Sequence, residues 1–181
     1  MLEALISSRT RIRLLLRFFI NPSNTAYLRG LSDEFNESTN AIRIELNRFE
    51  EAGMIVSANQ GNKKIYQVNE LHPLFLDIRS ILLKYIGIDQ IIETVISRLG
   101  QLEKMYLIGD YALGKDSGII DIVFIGNIDK KYLVNLVSKA EKLIKRKIRF
   151  LTYDATEWME IYASDIQTQK HLLLWEYKSK S

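Results

Sequence analysis

Apolar residues in the amino-terminal part of the chain recur first with helical spacing and then with strand spacing. Ile12, Leu15, Leu16 and Phe19 fall on one side of a helix over Arg9–Phe19, with Ser8 placed to cap it. The run Asn21-Pro22-Ser23-Asn24 stops that helix. A short helix is predicted near Leu28–Phe35. Ser38 then starts another, from about Thr39 to Ala52, in which Ile42, Leu46 and Phe49 recur at i, i+4 and i+7 and define a buried stripe. Gly53 supplies its stop. Met54–Ala58 and Lys64–Asn69 alternate as short strands about the turn Asn59-Gln60-Gly61-Asn62.

From Pro73 to about Leu99 the pattern is helical again, with a break near Gly87. Leu74, Ile78, Ile81, Ile91 and Val95 belong to an apolar set too large for one narrow stripe. These helices are therefore expected to be covered on more than one side, either between domains or by a second copy. Further on, Met105–Ile108, Ile120–Ile125 and Ile148–Tyr153 read as strands. Lys131–Ile144, Thr156–Ala163 and Asp165–Trp175 read as helices. Strands interleaved with helices predict an α/β domain. The expected fold class is α+β, with domains at 1–72, 73–100 (a helical connector) and 101–181.

Composition narrows this only in places. A length of 181 residues suits one large domain or two small ones, and an apolar fraction of 47% lets each half bury a core. The absence of Cys excludes disulfides and thiolate metal sites. His72 and His171 have no ligand spacing around them and read as ordinary surface or core residues, His171 within the last helical pattern. No metal or cofactor is expected. The net charge of +3 and a pI near 9.0 permit nucleic-acid binding without demanding it. The chain opens on no charged region followed by an apolar run, and no segment has membrane-spanning length, so a cytoplasmic protein is expected.

Three helices followed by a two-stranded wing resemble the winged helix-turn-helix, over about residues 5–72. The run STNAIRIELNRFEEAGMI is similar to the recognition helix and first wing strand of ArsR-like and MarR-like bacterial regulators. The resemblance implies a helix in the major groove and a wing on the backbone of double-stranded DNA. Asn40, Arg43 and Asn47 share the face opposite the apolar stripe. Arg can address guanine and Asn adenine, each in bidentate fashion. Ser38 and Thr39 are placed for phosphate contacts at the helix start, and Lys63 and Lys64 for phosphate neutralisation beside the wing tip. The alternative is a plain solvated face. Glu34, Glu37, Glu45, Glu50 and Glu51 lie nearby and weaken the electrostatic case.

The stretch Leu107–Gly126, LIGDYALGKDSGIIDIVFIG, resembles the minimal nucleotidyltransferases of the DNA polymerase beta superfamily. Their pattern is Gly-Ser at a strand end, a turn with Ala-Arg-Gly, then Ser-Asp-x-Asp on the next strand. Gly109, Ala112, Gly114 and Asp121 match it. Asp110 stands for the serine, Leu113 for the arginine and Ile119 for the first metal-binding aspartate. Two-metal chemistry needs about three converging carboxylates. The strand near Ile148–Tyr153, where the resemblance puts the third, reads IRFLTY and has none. Asp154 lies just past it. No catalytic residue is therefore assigned. A residual ligand pocket is expected around Gly109, Asp110, Gly114 and Asp121, and a different metal site from Asp110, Asp116 and Asp121 is the alternative. The basic run Lys142, Lys145, Arg146, Lys147 and Arg149 is expected to be a solvated helix end.

With HPLF opening the connector and TYDATEW after the third strand, the whole chain is similar to prokaryotic transcriptional regulators that carry a nucleotidyltransferase domain. The resemblance implies a DNA-binding regulator, expected to be homodimeric, with a degenerate pseudoenzyme domain for dimerisation, ligand sensing or partner binding. Two alternatives stand beside it. One is an active metal-dependent nucleotidyltransferase with an altered carboxylate set, and the other is an antitoxin-like module that pairs with a helical protein partner.

Overall fold

The structure, a computed structural model, describes residues 2–99, 101–161 and 171–177. The chain divides into two compact units, Met1–Tyr85 and Ile86–Ser181. The class is α+β.

The first unit opens with a short helix α1 (Leu2–Leu5), which the apolar pattern does not mark, and continues with α2 (Arg9–Phe19). Ser8 caps α2 as expected, its Oγ accepting from the Arg11 amide at 3.1 Å. Ile12, Leu15, Leu16 and Phe19 are buried, but so are Leu14 and Phe18. The helix is thus covered nearly all round rather than on one side. Two buried asparagines follow its carbonyl end. Asn24 Nδ2 donates to the Arg17 carbonyl at 3.2 Å, and Asn21 Oδ1 accepts from the Ser23 amide at 3.1 Å.

A three-residue strand β1 (Thr25–Tyr27) leads into α3 (Leu28–Phe35) and α4 (Thr39–Glu51). The turn between α3 and α4 is held from several directions. Asn36 adopts a left-handed conformation, Ser32 Oγ donates to the Glu37 carbonyl at 2.6 Å, and Arg13 donates to the Phe35 carbonyl at 2.7 Å while lying 4.0 Å over the Phe35 ring. Ile42, Leu46 and Phe49 form the buried stripe of α4.

The hairpin strands β2 (Ile55–Gln60) and β3 (Lys63–Val68) pair up to Gln60 opposite Lys63, so the connection is the two residues Gly61-Asn62 rather than the four expected. β1 adds to β3 as a third antiparallel strand, giving the order β1-β3-β2. Three helices and this sheet make a winged helix-turn-helix. The last helix of the unit, α5 (Phe75–Ile86), buries Phe75 and Leu82 but exposes Leu76 and Ile81.

In the second unit, α6 (Ile88–Val95) follows Gly87, which has φ +91°; a Cβ there would lie 2.6 Å from Ile144 Cγ2. Only glycine meets both demands, and they explain the break predicted at this position. After a 3₁₀ turn come β4 (Leu102–Ile108), a one-turn helix α7 (Gly109–Ala112), β5 (Ile119–Gly126), α8 (Lys130–Ile144), β6 (Lys147–Tyr153) and α9 (Ala155–Ile161). The sheet order is β6-β5-β4-β7, with β5 and β6 parallel across α8 and the other pairs antiparallel. Ile120, Ile122 and Phe124 line one face of β5, and Asp121, Val123 and Ile125 the other. Trp158 of α9 covers Tyr106, Val123 and Ile125 on that second face, its ring 5.1 Å from that of Tyr106.

One expected helix is overturned. Leu172–Glu176 is a strand, β7, paired antiparallel with β4, and His171 precedes it with its ring edge-on to Tyr106; positions 165–170 of the expected helix lie outside the described residues. Leu-Leu-Leu-Trp is a short apolar run, in which periodicity alone does not separate strand from helix. Among the described residues no helix is long and apolar enough to cross a membrane.

Candidate functional site

On α4, Asn40, Arg43 and Asn47 are all exposed and share one outward face. The Arg43 side chain makes no hydrogen bond or ion pair among the described residues. Ser38 and Thr39 open the helix, also exposed; the Ser38 hydroxyl accepts from the Ala41 amide at 3.1 Å and keeps its own proton to donate.

The acids that crowd this face in sequence are mostly engaged inside the unit. Glu34 lies 3.8 Å from Arg17 and Glu37 lies 3.6 Å from Arg13. Glu45, a buried acid on α4, accepts from Arg11 Nε at 3.0 Å and Nη2 at 3.2 Å, from Ser8 Oγ at 3.1 Å and from Arg48 Nη1 at 3.3 Å. Burial opposes ionisation of Glu45. The bonds and charge of Arg11, with Ser8 and Arg48, outweigh it and hold the carboxyl below its ordinary value. Sequence reasoning missed this network, although the buried position of Glu45 beside Leu46 is a signal for it.

The two wing lysines part company. Lys63 lies 4.7 Å from the Tyr27 ring and makes no ion pair among the described residues, whereas Lys64 Nζ donates to Glu50 at 2.8 Å. That bond raises the Lys64 pKa and lowers that of Glu50, so Lys64 is a strut from the wing to α4. A second feature of this unit is an apolar groove of about 290 Å³ whose lining includes Leu2, Ile6, Leu15, Phe49, Met54 and Ile78.

In the second unit the expected pocket residues do not all meet. Gly109 and Asp121 touch: a Cβ on Gly109, at φ +64°, would lie 2.7 Å from Asp121 Oδ2. Asp110 is exposed beside them, whereas Gly114 is buried. The residue that completes the group is Arg149. It stands opposite Asp121 in the β5–β6 register and donates through Nε to Oδ1 at 2.6 Å and through Nη2 to Oδ2 at 2.9 Å. The Asp121 bond and charge, and after burial the charge of Asp110, govern its pKa, which is raised. A cleft of about 200 Å³ at this end of the sheet is lined by Ile108, Asp121, Ile122, Arg149, Phe150 and Leu151. The sequence carries a signal for Arg149 too, since apolar Ile148 and Phe150 flank it as Ile120 and Ile122 flank Asp121.

The alternative metal set fails on Asp116. Its carboxylate is held by Arg146, with Nη2 to Oδ2 at 3.0 Å, and by the Tyr111 hydroxyl. Burial and the bond to Asp116 push the Tyr111 phenol up. Asp154 caps α9 instead, accepting from the Thr156 and Glu157 amides at 2.8 Å each, while Glu157 accepts from the Asp154 amide. Among the described residues no three potential metal ligands cluster. The basic run is a solvated helix end only in part, at the exposed Lys142 and Lys145. It spans the end of α8, the turn at Lys145 and strand β6, and Arg146, Lys147 and Arg149 are paired with Asp116, Glu141 and Asp121.

No family model matches the chain, and no curated protein does. Several solved structures share parts of it. Reduced HlyU from Vibrio cholerae is 14% identical over 45% of this chain and 77% of its own, with a TM-score of 0.35. A mutant of the toxin-antitoxin MntA-HpeT is 20% identical over 50% and 72%, with a TM-score of 0.40. A putative nucleotidyltransferase from Sulfolobus solfataricus is 25% identical over 52% and 79%, with a TM-score of 0.34.

Proposed function

We propose that this chain is a DNA-binding transcriptional regulator of the cytoplasm. Residues 1–72 read double-stranded DNA, 73–100 connect, and 101–181 form a nucleotidyltransferase-like domain that no longer transfers nucleotides. That domain serves dimerisation, the sensing of a small ligand, or the binding of a helical partner. Apart from that domain, the apolar groove and the exposed Leu5 and Leu76 of the first unit also favour a homodimer.

The observation that carries the reading is the state of Arg43. Its side chain stands exposed and, among the described residues, without an intramolecular partner on α4, between Asn40 and Asn47, while the neighbouring Glu34, Glu37, Glu45 and Glu50 are engaged with cations of their own unit. The pairing of Asp121 with Arg149 weighs against transfer activity. The purified protein, used to pull down genomic DNA for sequencing, is expected to enrich discrete sites. Arg43→Ala should weaken binding to them by about 1–3 kcal/mol, roughly five- to 150-fold, and relax specificity at the base it reads. Lys63→Ala should instead flatten the salt dependence at every site. Failure to enrich any site, or unchanged affinity in Arg43→Ala, would overturn the assignment.

A further inference from the structure

We propose that Arg149 is a built-in cation that takes the place of a divalent metal ion, leaving the acidic end of the second sheet charge-balanced by its own chain. This rests on the nucleotidyltransferase-like reading of residues 101–181, whose resemblance implies a metal there.

The residues present do not fit such an ion. Mg²⁺ and Mn²⁺ favour oxygen ligands, usually with more than one carboxylate when water and phosphate are not the main donors. At the two register pairs where carboxylates would converge, the strands bring Ile119 against Lys147 and Asp121 against Arg149. One acid therefore meets a hydrocarbon and two cations. Both oxygens of Asp121 are taken, at 2.6 and 2.9 Å, in the two-pronged geometry that guanidinium and carboxylate share. On the Oδ2 side the backbone of Gly109 stands so close that even a methyl group would collide with the carboxylate. Among the described residues Asp110 is the remaining acid at hand, since Asp116 is bound to Arg146 and Asp154 caps a helix. The side chain of Arg149 is itself 70% exposed, so its replacement disturbs little packing.

The protein and its Arg149→Asp variant are to be compared in EDTA and in millimolar Mn²⁺. Melting temperature and the electron paramagnetic resonance signal of free Mn²⁺ are the readouts. The parent protein should melt identically in both media and leave the Mn²⁺ signal undiminished. Arg149→Asp should melt lower in EDTA, recover as Mn²⁺ is added, and deplete the free-ion signal. A further Asp121→Asn change should abolish that gain. Arg149→Gln covers the case in which the aspartate variant does not fold: it frees Asp121 beside Asp110 and should bind Mn²⁺ more weakly but measurably. Asp121-dependent Mn²⁺ binding by the parent protein, or no gain in either variant, would overturn the proposal. Affinity for DNA is read on the same preparations, so a failure of the regulator reading appears separately from a failure here.

Discussion

Removing the Glu45 carboxylate should loosen the first unit at α4. Its side chain is 9% exposed and receives four charge-assisted bonds, from Arg11, Ser8 and Arg48. Such bonds contribute about 1.5–3 kcal/mol each when measured singly, but they are not additive. The Arg11 side chain is 36% exposed and that of Arg48 58%, so both rehydrate on losing their partner. Glu45→Ala is therefore expected to cost about 2 kcal/mol, roughly thirty-fold in the ratio of folded to unfolded protein. Both tryptophans, Trp158 and Trp175, lie in the second unit, so their fluorescence is blind to this change. Hydrogen exchange at the α4 amides is the suitable assay, with Glu51→Ala, an exposed acid on the same helix, as control. The folded-state pKa of Glu45 is depressed from its ordinary 4.5. Its contribution is thus fully present above that value and lost as pH falls through the folded-state value, so the gap between parent and Glu45→Gln should close in acid. Equal protection in Glu45→Ala and Glu51→Ala, or a gap that widens in acid, would refute the reasoning.

Gly87→Ala should destabilise the second unit by about 1–3 kcal/mol, because it meets a positive φ and the Ile144 side chain together; urea titration by tryptophan fluorescence reads it. Trp158→Ala, which removes a buried ring stacked on Tyr106, should cost about 3–5 kcal/mol by circular dichroism, and Trp158→Phe less. A loss below that of an exposed-site change such as Met159→Ala would show that α9 does not hold the sheet.

The parts legible in the sequence are those that short-range chemistry decides. Ser8 and Ser38 sit where their hydroxyls cap helices, Ile42, Leu46 and Phe49 repeat with the turn of α4, and Gly87 breaks a helix that no other residue would break so cleanly. β1 is three residues long and exists through its pairing with β3, so no alternation announces it. β7 depends likewise on β4, and its apolar run reads equally well as helix. The same limit governs the sites. The outward face of α4 follows from helix geometry and the structure exposes it. The attachment of Lys64 to Glu50, and of Arg149 to Asp121, follows from registers between segments 14 and 28 positions apart. Those distances decided which charges are spent inside the protein.

The Asp121–Arg149 pair also acts as a ratchet. With no metal present, an acid at position 149 would face Asp121 across adjacent strands, and like charges so placed repel. Removing Asp121 alone would strip Arg149 of its partner, and an acid at position 119 would sit two residues from Asp121 on the same face of β5, opposite Lys147. A second acid beside Asp121 at position 149 is therefore not reached by one substitution that leaves the pairing of β5 and β6 undisturbed. The pair thus biases which later substitutions this end of the sheet tolerates, quite apart from any ligand it meets.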